Sequence, residues 1–219
     1  ESPEVAARIT RYLEQERSSQ ETLNQGCPQV LALTDGLAAR YTEILTQKAG
    51  SDAPLSPTER HQLGLLLMSR EPGMAALQME KAAAAGDAEA TYWLSQRQME
   101  TAWRKSSSPT NIAHTLYAAS RQGSVDATFE LGQCSLEGCP GILPNPSQAL
   151  VQLRAAATRG HALALSEVVD VLHTGRGGVM PDPVEALGWT LYAESLNETG
   201  HFNSAYFEVR RQFREMREP

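Results

Sequence analysis

A 37-residue period constrains this chain more than any other feature. Gly86, Gly123 and Gly160 are 37 residues apart, and Gly200 follows after 40. Each glycine comes after small residues: Ala82-Ala83-Ala84-Ala85, Ala118-Ala119, Ala155-Ala156 and Ala193. Another alanine follows four or five residues later, at Ala90, Ala127, Ala164 and Ala205. In phase with these run Ser108-Pro109, Asn145-Pro146 and Asp182-Pro183. Each is a capping residue followed by proline at the first helical position, where a missing N–H costs nothing. Gln148 and Glu185 stand three residues after their caps, as Glu59 does after Ser56, which is capping-box spacing. Helices therefore begin at the prolines and end at the glycines. The repeating unit is a helical hairpin.

The loops repeat too. Gly138-Cys139-Pro140-Gly141-Ile142-Leu143-Pro144-Asn145-Pro146 aligns with Gly175-Arg176-Gly177-Gly178-Val179-Met180-Pro181-Asp182-Pro183 at the same offset of 37. The pattern predicts first helices at 57–69, 87–104, 124–137 and 161–174, partner helices at 72–85, 109–121, 146–159 and 183–198, and a closing helix at 201–217. Residues 1–50 lack the period. There Val5, Ile9, Tyr12 and Leu13 share one helical face, as do Val30, Leu33, Leu37, Tyr41 and Ile44. Helices at 3–20 and 28–48 follow, forming a cap of residues 1–50 ahead of an array over 55–219.

Leu131-Gly132, Gly138, Gly141-Ile142, Asn145, Ala149, Ala155-Ala156, Gly160 and Ala164 together resemble the Sel-one-like repeat (SLR) family. The resemblance spans roughly 57–219, is strongest over 124–199, and weakens over 57–122. There Glu71-Pro72-Gly73 and Arg104-Lys105-Ser106-Ser107 replace the glycine loop. It implies an all-α fold, a right-handed α/α superhelix (solenoid) of SLR/TPR-like hairpins behind an N-terminal helical pair. It also implies a scaffold for bacterial envelope assemblies, such as secretion, exopolysaccharide export or flagellar-motor accessories. The alternative is an immunity protein that neutralises a toxic effector.

Composition narrows the partner. A net charge of −7 over 219 residues argues against nucleic acid or an anionic membrane surface. No apolar run approaches the roughly 20 residues of a membrane span. Metalloprotease, nucleophile-elbow and phosphate-loop motifs are missing, so no catalytic residue, cofactor or metal is expected. Gly175-Arg176-Gly177-Gly178 reads as a turn. His161 and His201 mark helix starts, and His61, His114 and His173 have no ligand spacing. Trp93, Trp103 and Trp189 share no repeat position and read as packing residues. An enzyme assembled across several repeats, or a direct regulator of an enzyme, is the remaining distinct class.

The three cysteines leave three readings. Cys134, at the position of Val171, and Cys139, in the loop, are close enough in sequence for a disulfide across one helical turn. Both could instead remain thiols in a reducing cytosol, or Cys27 could pair with one of them. A disulfide implies an oxidising compartment, hence export to the periplasm. The opening Glu1-Ser2-Pro3 fits a removed leader as well as truncation.

The expected binding surface is the concave face built by the first helices, which takes extended or helical segments of another protein. Two residues beyond the small alanine lie Tyr92, Phe129, Ser166 and Phe207. Six beyond lie Gln96, Gln133, Asp170 and Arg211. An exposed aromatic row would anchor a partner, whereas the same aromatics could wedge between successive helices. The chain is expected to be a monomer or weak oligomer.

Overall fold

The computed structural model describes residues 28–50, 54–105, 112–196 and 204–217. Among these, ten α-helices and no strand are present. They are α1 (Pro28–Ala49), α2 (Pro57–Leu67), α3 (Pro72–Ala84), α4 (Ala88–Lys105), α5 (Ile112–Gln122), α6 (Val125–Glu137), α7 (Pro146–Thr158), α8 (Ala162–Thr174), α9 (Pro183–Ser195) and α10 (Ser204–Arg217). The expected helix at 3–20 lies outside the described residues, as do Ser108-Pro109, Gly200, His201 and Cys27. The chain divides into two compact units, residues 1–90 and 91–219.

In the first unit, Ser56 starts α2 with a complete capping box. Its hydroxyl accepts from the Glu59 N–H at 3.2 Å, and the Ser56 N–H donates to the Glu59 carboxylate at 2.9 Å. Leu45 of α1 shares one core with Leu55, Leu63, Leu67 and Ala75, and Tyr41 packs against it. Helix α1 and the first hairpin therefore bury the same apolar surface.

The second unit holds the glycine-loop hairpins. Ala119, Ala156 and Ala193, 37 residues apart, are fully buried in the partner helices, and Ala127 and Ala164 in the first helices. Small side chains let the helices approach closely. A Cβ on Gly132 would stand 2.7 Å from Leu153 Cγ, so α6 and α7 touch where only glycine fits. Beyond the alanines, Leu131, Leu153, Leu165, Val168, Val169, Val171 and Leu172 form the bulk of the core.

One device ends the partner helices in both units. After α3, α5 and α7, Gly86, Gly123 and Gly160 adopt φ of 89°, 115° and 88°. The next N–H then turns back to a carbonyl of the last turn: Asp87 to Ala82 at 3.0 Å, Ser124 to Ala119 at 3.0 Å, and His161 to Ala156 at 3.1 Å. This is the Schellman closure, which satisfies carbonyls the helix leaves unpaired and favours glycine at its left-handed residue. Asn145 and Asp182 close the loops in the same way as each other. Their N–H groups reach back to Ser135 O at 2.7 Å and Leu172 O at 2.8 Å.

Candidate functional site

The residue after each closing glycine caps the next first helix. Asp87 Oδ1 accepts from the Ala90 N–H at 2.9 Å, Ser124 Oγ from Ala127 at 3.1 Å, and His161 Nδ1 from Ala164 at 3.1 Å. Carboxylate, hydroxyl and imidazole thus do one job at one repeat position. Because its Nδ1 accepts, His161 carries its ring hydrogen on Nε2, which lies 3.3 Å from Asp126 Oδ1. The Phe129 ring stacks on this imidazole with centroids 4.3 Å apart. In the first unit, His61 Nδ1 lies 3.2 Å from Asp87 Oδ1, in the matching register. Burial alone would raise the Asp87 carboxyl. The hydrogen bonds from His61 and the Ala90 N–H outweigh that and hold it below its ordinary 3.8.

These contacts bury part of the aromatic row. Phe129 is 8% exposed and Ser166 7%, so neither stands on the surface as an anchor. Phe129 fills the gap between α6 and the cap of α8, which is the wedging alternative. Tyr92 is half-buried, and its hydroxyl accepts from the exposed Gln96 amide at 2.6 Å. Phe207, at 62% exposure, is the aromatic of the row that faces solvent most openly. It meets Tyr206 edge-on. Of the second row, Gln133 is half-buried, Asp170 is engaged by Arg176, and Arg211 pairs with Glu208 at 2.5 Å.

The two glycine loops are pinned by different chemistry at one position. Cys139 forms a disulfide with Cys134, with Cα atoms 5.1 Å apart. At the equivalent place Arg176 spreads its guanidinium over Asp170 (3.1 Å), Glu137 (2.5 Å) and Glu167. Burial pushes the Glu167 carboxyl up. Arg176 draws it back, but with Asp170 and Glu137 also nearby it stays above the usual carboxylate range.

No family model matches the sequence, and no curated protein matches it either. Solved structures do. A protective antigen of uropathogenic Escherichia coli, described as displaying an SLR fold, is 23% identical with a TM-score of 0.59. That match covers 80% of this chain and 36% of the antigen's. A Sel1 repeat protein from Oxalobacter formigenes is 21% identical with a TM-score of 0.60, over 78% of this chain and 69% of that one. The chain has the Sel1-repeat fold. It spans little more than a third of the E. coli antigen.

Elsewhere on this Sel1-repeat unit, the partner helices carry an open, mostly apolar depression of about 390 Å³ lined by Thr158, Glu185, Gly188, Trp189 and Tyr192. Trp189, expected to be a packing residue, also makes a polar contact. Its indole N–H in fact donates to Glu185 at 3.0 Å, and Glu185 also receives both arms of Arg154. The roles expected of His161 and Arg176, a helix boundary and a turn, likewise leave out their side-chain contacts. At Arg176 the available signal was a charged residue where the preceding repeat carries Cys139, whereas nothing in the sequence set His161 apart from the capping residues Asp87 and Ser124. Among the described residues, no group of three metal-ligating side chains exists, and no helix is long and apolar enough to cross a membrane.

Proposed function

We propose that this chain is a non-catalytic scaffold that binds another protein along the face formed by its first helices, in an exported bacterial envelope or secretion assembly. The observation carrying this reading is the two-sided character of α4 and α6. Ala90, Ala127 and Leu131 are buried, while Gln96, Tyr92, Glu130 and Gln133 keep polar or aromatic surface on the same helices. A repeat array presents such residues at regular intervals, which suits an extended or helical partner segment. The Cys134–Cys139 disulfide supports an oxidising compartment.

Photocrosslinkable residues placed at Gln96 and at Val151, an exposed partner-helix position, test the binding face in the native host. Crosslinks to one defined protein from Gln96 and none from Val151 are expected. The reverse pattern overturns the assignment. If the crosslinked protein is a secreted toxic enzyme that loses activity on binding, the immunity role replaces the scaffold role. Export is tested by thiol alkylation of denatured protein from host cells: one reactive thiol of three is expected, and three would exclude an oxidising location.

A further inference from the structure

Helices α6 and α8 have 13 residues each and are followed by loops of equal length, so residues 37 apart in these hairpins occupy equivalent places. In the later hairpin Arg176 engages Glu167, Asp170 and Glu137. Shifted back by one repeat, those three acceptors become Glu130, Gln133 and Glu100, and Arg176 becomes Cys139. The acceptors are retained but the guanidinium is not. Cys139 bonds to Cys134 on its own helix and brings no charge.

Glu130 is half-buried, and its carboxylate makes no hydrogen bond or ion pair among the described residues. Burial without a counter-charge pushes its carboxyl above the ordinary value. Both neighbouring repeats answer this position with an arginine. Trp93, one repeat earlier, has the Arg97 guanidinium 5.1 Å over its ring, and Glu167, one repeat later, has Arg176. The disulfide explains how the intervening repeat dispenses with its own. The loop that Arg176 pins ionically is pinned covalently at Cys139, which leaves the carboxylate available.

We propose that Glu130, with Gln133 one turn along α6, receives an arginine side chain of the bound protein, filling the place that Arg176 fills one repeat later. A planar guanidinium presents donors to several separate acceptors at once, as Arg176 does to three through Nε, Nη1 and Nη2. A lysine ammonium is a single point of charge. This rests on the protein-binding reading above and names the chemistry it would use.

The test is an NMR titration of the full chain with the peptide acetyl-Gly-Arg-Gly-amide, and with the same peptide carrying citrulline. The arginine peptide is expected to shift the Glu130 and Gln133 side-chain signals. Citrulline, or Glu130→Gln, is expected to weaken the response about fivefold or more. A second variant, Cys134→Val with Cys139→Arg, copies the later repeat and should abolish peptide binding by supplying the guanidinium internally. Equal responses from arginine and citrulline, or from parent and Glu130→Gln, overturn the proposal. So does undiminished binding to Cys134→Val/Cys139→Arg that circular dichroism shows to be folded. If Gln96 crosslinking to a defined protein persists with unchanged affinity in Glu130→Gln, the arginine site fails while the scaffold stands. If Gln96 captures nothing in the parent, the scaffold reading fails, and the peptide titration still decides Glu130.

Discussion

At the scale of single residues, the cap position after the closing glycine links one repeat to the next. His161 combines three contacts: the cap on α8, the approach to Asp126 and the stack on Phe129. His161→Ala is expected to lower stability by about 2 kcal/mol in urea unfolding, roughly one for the cap and one for the stack. His161→Asn should recover about half, since asparagine caps well but cannot stack. Asp87 adds a pH dependence. A carboxyl held below its ordinary value contributes stability above the unfolded pKa and loses it as pH falls through the folded one. Asp87→Asn keeps a capping oxygen and is expected to be less stable than the parent at pH 7. The gap should close as pH drops below 3.8, read from urea midpoints across pH. Glu59, also held below its ordinary value, remains in both proteins and cancels from the difference.

Elements show what sequence could and could not disclose. Ser56, Asn145, Asp182 and the closing glycines announced their helix ends because caps and Schellman closures are local, involving residues within one turn. The wedge of Phe129 against His161 was not legible, because it joins residues 32 positions apart across a repeat boundary. The parallel between His61 and Phe129 was hidden for another reason. Ser56 and Asp87 are 31 residues apart instead of 37, and this shortening shifts the register by six. Pinning of the loops was half visible: cysteines suggest their own partner, whereas an arginine among glycines does not. Arg176→Met tests that second pin. Glu137, Glu167 and Asp170 would then face one another without a counter-charge, so stability at pH 7 should fall by about 1–2 kcal/mol, a modest figure because Arg176 is partly exposed. Protonation of Glu167, whose carboxyl burial already holds above its ordinary value, relieves the crowding. The loss should therefore shrink as pH falls toward 4, and a pH-independent loss would show that packing of the arginine stem is what matters.

Across the whole molecule, a repeat fold makes stability a sum of nearest-neighbour layers, so protection against unfolding should follow how well each helix is flanked. Helix α8 packs against α7, α9 and α10 and buries Ala164, Leu165, Ser166, Val168, Val169, Val171 and Leu172. Helix α1 packs on α2, and among its described side chains Leu45 is the buried one, while Leu37 and Ile44 are 45% and 44% exposed. Native-state hydrogen exchange should accordingly find the slowest amides in α6 to α9, and amides in α1 at least about a hundredfold faster. Val168→Ala should speed exchange throughout α6–α10, because its neighbours lose a shared layer, and leave residues 36–49 unchanged. Acceleration in α1 as well would mean that the chain unfolds in a single step, and the layered account of its stability would have to be abandoned.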